Sequence, residues 1–125
     1  MTSDKVNSNK IVIFCCSDDP ERAYPPFFIA SAAVAMDMEV TMFFCMSGLN
    51  LIRKGGAEKI VLPGVPKPLQ EYVKTVQDGG GKLFICAPGL PVVRMTEEDA
   101  IDGAEVAGAA SFISEGQEAD FVMTF

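Results

Sequence analysis

Three apolar segments of the sequence each end in cysteine, and they constrain the fold more than any other feature. They are Ile11 to Cys16, Val40 to Cys45 and Leu83 to Cys86. Nearly unbroken apolar runs of this length are typical of strands that are covered on both faces of a parallel sheet. Because open parallel sheets place their ligand crevices at the carboxyl ends of the strands, we expect the cysteines to lie beside such a crevice.

Helix signals alternate with these strands along the chain. We predict strands at residues 10–16, 39–45, 82–86, 104–107 and 121–125. We predict helices at residues 26–36, 47–54, 70–76 and 108–118. A turn at residues 20–24 precedes the first helix in this prediction, because Pro25 disfavours helical geometry at Tyr24. Strands that alternate with helices indicate an α/β fold with a mostly parallel, five-stranded sheet and helices on both faces.

Two further segments complete the predicted organisation. Residues 55–68 carry three glycines and three prolines, which predicts a long surface excursion that serves as a lid or an oligomer contact. Thr96 and Asp99 have the spacing of a helix capping box. We predict a polar, mobile tail at residues 1–9 and a single domain over residues 10–125.

Composition and charge exclude several classes of function. The net charge of −7 argues against a nucleic-acid surface, which needs clustered Lys and Arg. No apolar run approaches the roughly 20 residues of a membrane span, and the polar N-terminus predicts a cytoplasmic protein with reduced thiols. The absence of histidine removes histidine bases and imidazole metal sites. Cysteine chemistry here must depend on a helix N-terminus, on Lys or Arg, or on an already reactive sulfur donor.

The four cysteines differ in their predicted roles. Strand alternation places Cys15 in the core, whereas Cys16 and Cys45 lie where a strand becomes a loop. Cys86 precedes a break that could aim a helix N-terminus at its sulfur and lower the pKa of the thiol. We therefore predict Cys86 as the nucleophile, with Cys16 and Cys45 as neighbours. A zinc site built from these three cysteines is conceivable but disfavoured, since the sequence has no Cys-x-x-Cys pair.

Several segments resemble those of a known family. They are the strand that ends at Cys86, the run Ile101-Asp102-Gly103-Ala104-Glu105-Val106, and Phe43-Phe44 followed by Gly48-Leu49-Asn50. In these segments the chain resembles the DsrE/DsrF-like family of small sulfur-relay proteins. The resemblance implies a three-layer α/β/α fold that assembles as a trimer or hexamer. It also implies that Cys86 accepts sulfane sulfur as a persulfide, as the matching cysteine does in sulfur-transferring members. Some members carry a second cysteine shortly after the first, and residues 87–95 contain none.

The hypothesis that follows is a cytoplasmic sulfur carrier rather than a turnover enzyme. It works without a cofactor, and its partners are sulfur donor and acceptor proteins and further copies of itself. Transfer between sulfurs needs no histidine base. One alternative is a non-catalytic module that binds a small ligand or metal and has structural cysteines. Another is a peroxidase that forms a sulfenic acid on Cys86.

Overall fold

The computed structural model describes residues 9–125, in which a parallel sheet lies between two layers of helices. Five strands lie in these residues, in the order β4-β3-β2-β1-β5, and each pairs in parallel with its neighbours. They are β1 (Lys10–Cys15), β2 (Glu39–Phe44), β3 (Lys82–Cys86), β4 (Ala104–Ala107) and β5 (Phe121–Thr124). The predicted α/β fold is confirmed. The tail prediction lies almost entirely outside the described residues.

Three α-helices cover the two faces of the sheet. They are α1 (Pro20–Ala35), α2 (Leu69–Asp78) and α3 (Ala109–Gln117). Helices α1 and α2 pack together over one face, onto side chains such as Ile13, Met42 and Ile85, which are fully buried. Helix α3 lies on the other face, where the ring of Phe112 packs against strand β1. Among the helices in residues 9–125, none has both the length and the apolar character needed to cross a membrane.

Helix α1 begins six residues earlier than the sequence indicates. The predicted turn at residues 20–24 is wrong, because the helix continues through Pro25 and Pro26. Pro20 occupies the first helical position, where a missing N–H costs little. An internal proline ordinarily costs about 3 kcal/mol or more. Burial of Tyr24 against α2 and of Phe27 against β2 offsets that cost.

The segment after β2 also differs from its prediction. It forms a 3₁₀ helix over Met46–Leu51 rather than an α-helix over residues 47–54. The reason is tertiary: the Lys54 N–H donates to the Asp99 carbonyl at 2.8 Å, and the Ile101 N–H donates to the Ile52 carbonyl at 2.9 Å. This pairing draws the chain away from helical geometry after Leu51.

Other local predictions are confirmed. Thr96 and Asp99 form the capping box at the start of a short 3₁₀ turn, Glu97–Asp99. Helix α2 ends at Gly79, within the predicted glycine stop. In the 55–68 excursion, the Ile60 carbonyl accepts a hydrogen bond from the Tyr24 hydroxyl at 3.0 Å. The excursion is therefore tied to α1, and its role as a lid or oligomer contact stays a prediction.

A buried lysine fixes α3 to the amino end of the sheet. The Lys10 side chain is 8% exposed, and its Nζ lies 2.8 Å from Glu115 on α3 and 3.7 Å from Glu118, which directly follows that helix. Burial alone would lower the pKa of Lys10, but its bonds to Glu115 and to Glu39 on β2 raise it overall. The hydrogen bond from Lys10 in turn lowers the pKa of Glu115. This ion cluster lies at the opposite end of the sheet from the cysteines.

Candidate functional site

Three cysteines lie side by side at the carboxyl ends of three adjacent strands. Cys15 of β1 pairs with Phe44 of β2, and Phe44 pairs with Ile85 of β3. The Cys45 N–H donates to the Cys15 carbonyl at 3.0 Å, so the pairing of β1 with β2 continues to Cys45. The residue that follows Cys15, Phe44 and Ile85 is in each case a cysteine. We call this set the cysteine row: Cys16, Cys45 and Cys86.

The cysteine row lies on the face of the sheet that α3 covers. Side chains alternate between faces along a strand, so each cysteine of the row follows a phenylalanine two residues earlier. These rings pack across the strands, with centroids 6.4 Å apart for Phe14 and Phe43 and 5.0 Å apart for Phe43 and Phe84. Cys15 points to the opposite face and is 1% exposed, which confirms its predicted place in the core.

The members of the row differ in their access to solvent. Cys16 is exposed and Cys86 is half-buried, whereas Cys45 is buried at 7% exposure. A thiol of another protein can therefore reach Cys86 or Cys16 far more easily than Cys45. Both Cys16 and Cys45 influence the titration of the Cys86 thiol. Their role as its neighbours in sulfur chemistry stays a prediction.

The surroundings of Cys86 oppose thiolate formation. Burial, followed by hydrogen bonding and charge interaction with Cys45, raises the pKa of Cys86 to about 11. Hydrogen bonding from the Gly89 backbone acts in the opposite direction but does not offset these effects. Burial also raises the pKa of Cys16. The prediction of a lowered Cys86 pKa is therefore wrong.

The physical reason lies in the segment that follows β3. It forms two single 3₁₀ turns, Ala87–Gly89 and Pro91–Val93, in place of an α-helix. Such short turns carry little of the aligned peptide dipole that stabilises an anion at the start of a long helix. Burial beside other thiols consequently dominates the titration of Cys86.

An apolar cavity of about 280 Å³ lies beside Cys86, between the sheet and the start of α3. Its walls include Phe14, Phe43 and Phe112. The ring centroid of Phe112 lies 4.7 Å from that of Phe14 and 5.4 Å from that of Phe43. Sequence reasoning missed Phe112 as a site residue. The amphipathic pattern of the helix predicted at residues 108–118 is the signal that could have found this ring, but only the tertiary fold brings it beside Cys86.

The cysteine row does not have the geometry of a metal cage. Within residues 9–125, no three side chains of the Cys, Asp or Glu type converge as the ligands of a metal ion would. The arrangement instead places thiols next to one another across neighbouring strands. Its available chemistry is exchange between sulfur atoms.

Comparison with known proteins places this chain in a family. Residues 6–68, which contain Cys16 and Cys45, match the sequence profile of the DsrE/DsrF/DrsH-like family. The chain belongs to this family. Cys86 lies outside the matched residues.

Known proteins match most of this chain. An uncharacterized protein of Methanocaldococcus jannaschii is 28% identical over 88% of this chain, which spans 40% of that relative's length. The sulfur carrier protein DsrE2 of Allochromatium vinosum is 25% identical, over 94% of this chain and 99% of the relative. The crystal structure of the ychN protein from E. coli matches with a TM-score of 0.74, over 94% of this chain and 99% of that one. At 18% identity, that structure shows a common fold.

Proposed function

We propose that this protein is a sulfur carrier that accepts sulfane sulfur as a persulfide on Cys86 and passes it to a partner protein. The observation that carries the proposal is the position of Cys86, half-buried in a row of thiols and open to an apolar cavity. The similarity to a sulfur carrier protein over nearly its whole length supports the same function.

Each transfer is a displacement at sulfur. In uptake, the Cys86 thiolate attacks the terminal sulfur of a donor persulfide. The sulfur–sulfur bond of the donor breaks, and its electron pair leaves on the donor thiolate. In delivery, a thiolate of the acceptor attacks the terminal sulfur on Cys86, and Cys86 leaves as a thiolate. Neither step needs a histidine base, in keeping with a sequence that has no histidine.

The raised pKa of Cys86 suits retention of sulfur better than rapid uptake. A thiolate of high pKa is a strong nucleophile, but it is a poor leaving group and forms a small fraction of the resting thiol at neutral pH. A persulfide on Cys86 is therefore slow to lose its terminal sulfur to weak nucleophiles. The apolar cavity adds to this stability, because its aromatic walls favour contact with sulfur and keep water away.

Intact mass after incubation with glutathione persulfide tests the proposal. The wild-type protein gains one sulfur atom, and Cys86→Ser does not. Cys16→Ser is the matched control, since it removes an exposed thiol of the same row and still takes up sulfur on Cys86. An adduct that survives Cys86→Ser would move the site elsewhere. The absence of an adduct in the wild-type protein would favour a non-catalytic module with structural cysteines.

The carrier acts, in this proposal, as a homo-oligomer in the cytoplasm, with donor and acceptor proteins as its partners. Exposed apolar side chains on the outer strands and on α3 support assembly. They are Val106, Ile113, Phe121 and Val122. A second copy of the chain would remove these side chains from water.

A further inference from the structure

Cys45 has no function in the transfer between proteins described above. Its side chain is 7% exposed, so a thiol of another protein cannot readily reach it. Nevertheless it lies in the centre of the cysteine row, between Cys16 on one strand and Cys86 on the other. Its chemistry must therefore involve these two neighbours.

The strand register places Cys45 within bonding range of Cys86. Neighbouring strands lie about 4.8 Å apart. Phe44 pairs with Ile85, so the residues that follow them, Cys45 and Cys86, lie beside each other and point to the same face of the sheet. Disulfides form between residues with Cα atoms about 4.4–6.8 Å apart. Cys16 lies two strands from Cys86, at about 10 Å, which is too far for a disulfide.

The loop after β3 packs over Cys45, beside Cys86. A Cβ at position 89 would lie 3.4 Å from the Cys45 sulfur and 2.7 Å from the Met46 backbone nitrogen. Gly89 therefore packs directly over Cys45, and its backbone N–H interacts with the Cys86 thiol. The same glycine thus covers the Cys45 sulfur and lies near the Cys86 thiol.

From this arrangement we infer that Cys45 is a resolving thiol, which displaces sulfide from the Cys86 persulfide and closes a Cys45–Cys86 disulfide. The inference rests on the proposed sulfur carrier function, because it needs a persulfide on Cys86. It adds a second outcome for the bound sulfur: release as sulfide when an acceptor protein is absent.

The step balances without an outside oxidant. A bond forms between the Sγ atoms of Cys45 and Cys86, and the bond from the Cys86 Sγ to the terminal sulfur breaks. The electron pair of that bond leaves with the terminal sulfur, which takes up the thiol proton of Cys45 and departs as hydrogen sulfide. The two cysteine sulfurs are oxidised to a disulfide, and the sulfane sulfur is reduced to sulfide. A dithiol reductant then restores both thiols.

The two fates of the persulfide differ in which sulfur is attacked. An acceptor protein attacks the exposed terminal sulfur and leaves Cys86 as a thiolate, whereas Cys45 attacks the inner sulfur from within the sheet. Both routes follow from the same loaded state. The ratio of sulfur delivered to sulfide released therefore depends on how quickly an acceptor arrives.

Loading with glutathione persulfide, removal of the excess donor and timed sampling test the inference. In the wild-type protein, we expect the one-sulfur adduct to give way to a species two hydrogens lighter than the reduced chain, with release of one equivalent of sulfide. Cys45→Ser should keep the adduct and release sulfide at least about tenfold more slowly. Cys15→Ala is the matched control, because it removes a thiol on the opposite face of the sheet, and it should behave like the wild-type protein.

Peptide mapping without reduction identifies the bond directly. Trypsin separates the thiols of the row, because Arg22, Arg53 and Lys82 lie between them in the sequence. A linked pair of peptides, residues 23–53 with residues 83–94, supports the inference. This measurement uses the wild-type chain and decides the question even if Cys45→Ser fails to fold.

The outcomes separate this inference from the carrier function. An adduct on Cys86 that persists equally in the wild-type protein and in Cys45→Ser, with no linked peptides, refutes the resolving role and leaves the carrier intact. A disulfide between another pair of cysteines refutes it as well. Failure of every variant to take up sulfur refutes both proposals together.

Discussion

Gly89 packs against Cys45 so closely that an added Cβ would lie 3.4 Å from the cysteine sulfur. The position calls for glycine because of space, since the Met46 backbone nitrogen would lie 2.7 Å from the same Cβ. The loop after β3 can thereby cover the cysteine row and bring a backbone amide to Cys86. Strand register sets the row, and this close approach covers its central thiol.

Substitution Gly89→Ala should move the loop away from the cysteine row. We expect a loss of about 1–3 kcal/mol in the free energy of unfolding, because the backbone at Met46 cannot yield as a flexible side chain would. Cys45 should also react faster with iodoacetamide. Urea unfolding and site-resolved alkylation measure the two effects.

Gly116→Ala is the control: its Cβ would make an ordinary 3.5 Å contact with Val122, and we expect the free energy of unfolding to rise by up to about 1 kcal/mol. Equal effects of the two substitutions would contradict the close packing of Gly89.

The reactivity of Cys86 should increase with pH well beyond neutrality. Because the thiolate is the nucleophile and the pKa is raised to about 11, the alkylation rate should rise about tenfold per pH unit up to at least about pH 10. Cys45→Ser removes a neighbour that raises the pKa, so it should shift this profile to lower pH. Alkylation of Cys86 followed by peptide mass spectrometry gives the profile. A rate profile with its midpoint at or below about pH 8.5, the ordinary pKa of a thiol, would show that burial does not control the titration of Cys86.

Phe112→Ala should open the cavity beside Cys86 to water. The ring packs on Phe14 and Phe43, and we expect its removal to cost about 2 kcal/mol, less than the roughly 3–5 kcal/mol for a fully buried phenylalanine. Weaker burial should lower the pKa of Cys86 and speed its alkylation at neutral pH. Ser114→Ala on the same helix provides the control, because this side chain is exposed and its loss should change stability by less than about 0.5 kcal/mol. If Cys86 reacts at the same rate in Phe112→Ala and in the wild-type protein, the ring does not control the burial of Cys86.

Glu115→Gln should destabilise the attachment of α3 to the sheet. The carboxylate bonds to the buried Lys10, and we expect its loss to cost about 1–2 kcal/mol at neutral pH. The folded pKa of Glu115 is lowered, so its stabilising contribution is present above the unfolded value of about 4.3 and is lost as the pH falls through the folded value. The stability gap between wild type and variant should therefore close in acid.

Urea unfolding at several pH values measures this gap. Glu118→Gln, at the residue that directly follows α3, is the matched control. Its carboxylate is 74% exposed and 3.7 Å from Lys10, so the substitution should cost less than about 0.5 kcal/mol. A gap for Glu115→Gln that stays constant from neutral to acid pH would rule out this ion pair as its origin.

Light scattering at micromolar concentration should give a mass that is a multiple of the 13.4 kDa chain. Two substitutions distinguish the candidate contact surfaces. Val122→Asp places a charge on the outer strand β5, and Val61→Asp places one in the 55–68 excursion; both valines are exposed. We expect Val122→Asp to reduce the mass, because β5 is an edge strand with exposed apolar side chains. A monomer mass for the wild-type protein would refute assembly.

Local patterns in the sequence were sufficient for much of this fold. The apolar run Leu83 to Ile85 identified β3, the spacing of Thr96 and Asp99 identified a capping box, and alternation placed Cys15 in the core. Each of these features depends on residues a few positions apart. The sequence also brought the other three cysteines to the carboxyl ends of strands, where a crevice was expected.

The tertiary structure decided what local patterns could not. Strand register placed Cys16, Cys45 and Cys86 in one row, and burial against the sheet carried α1 through Pro25. The pKa of Cys86 followed from burial and from Cys45 on the neighbouring strand, rather than from the break that follows it in sequence. The sequence by itself determined the strands and the thiols at their ends. The fold determined how those thiols interact, because register and burial depend on residues that are distant along the chain.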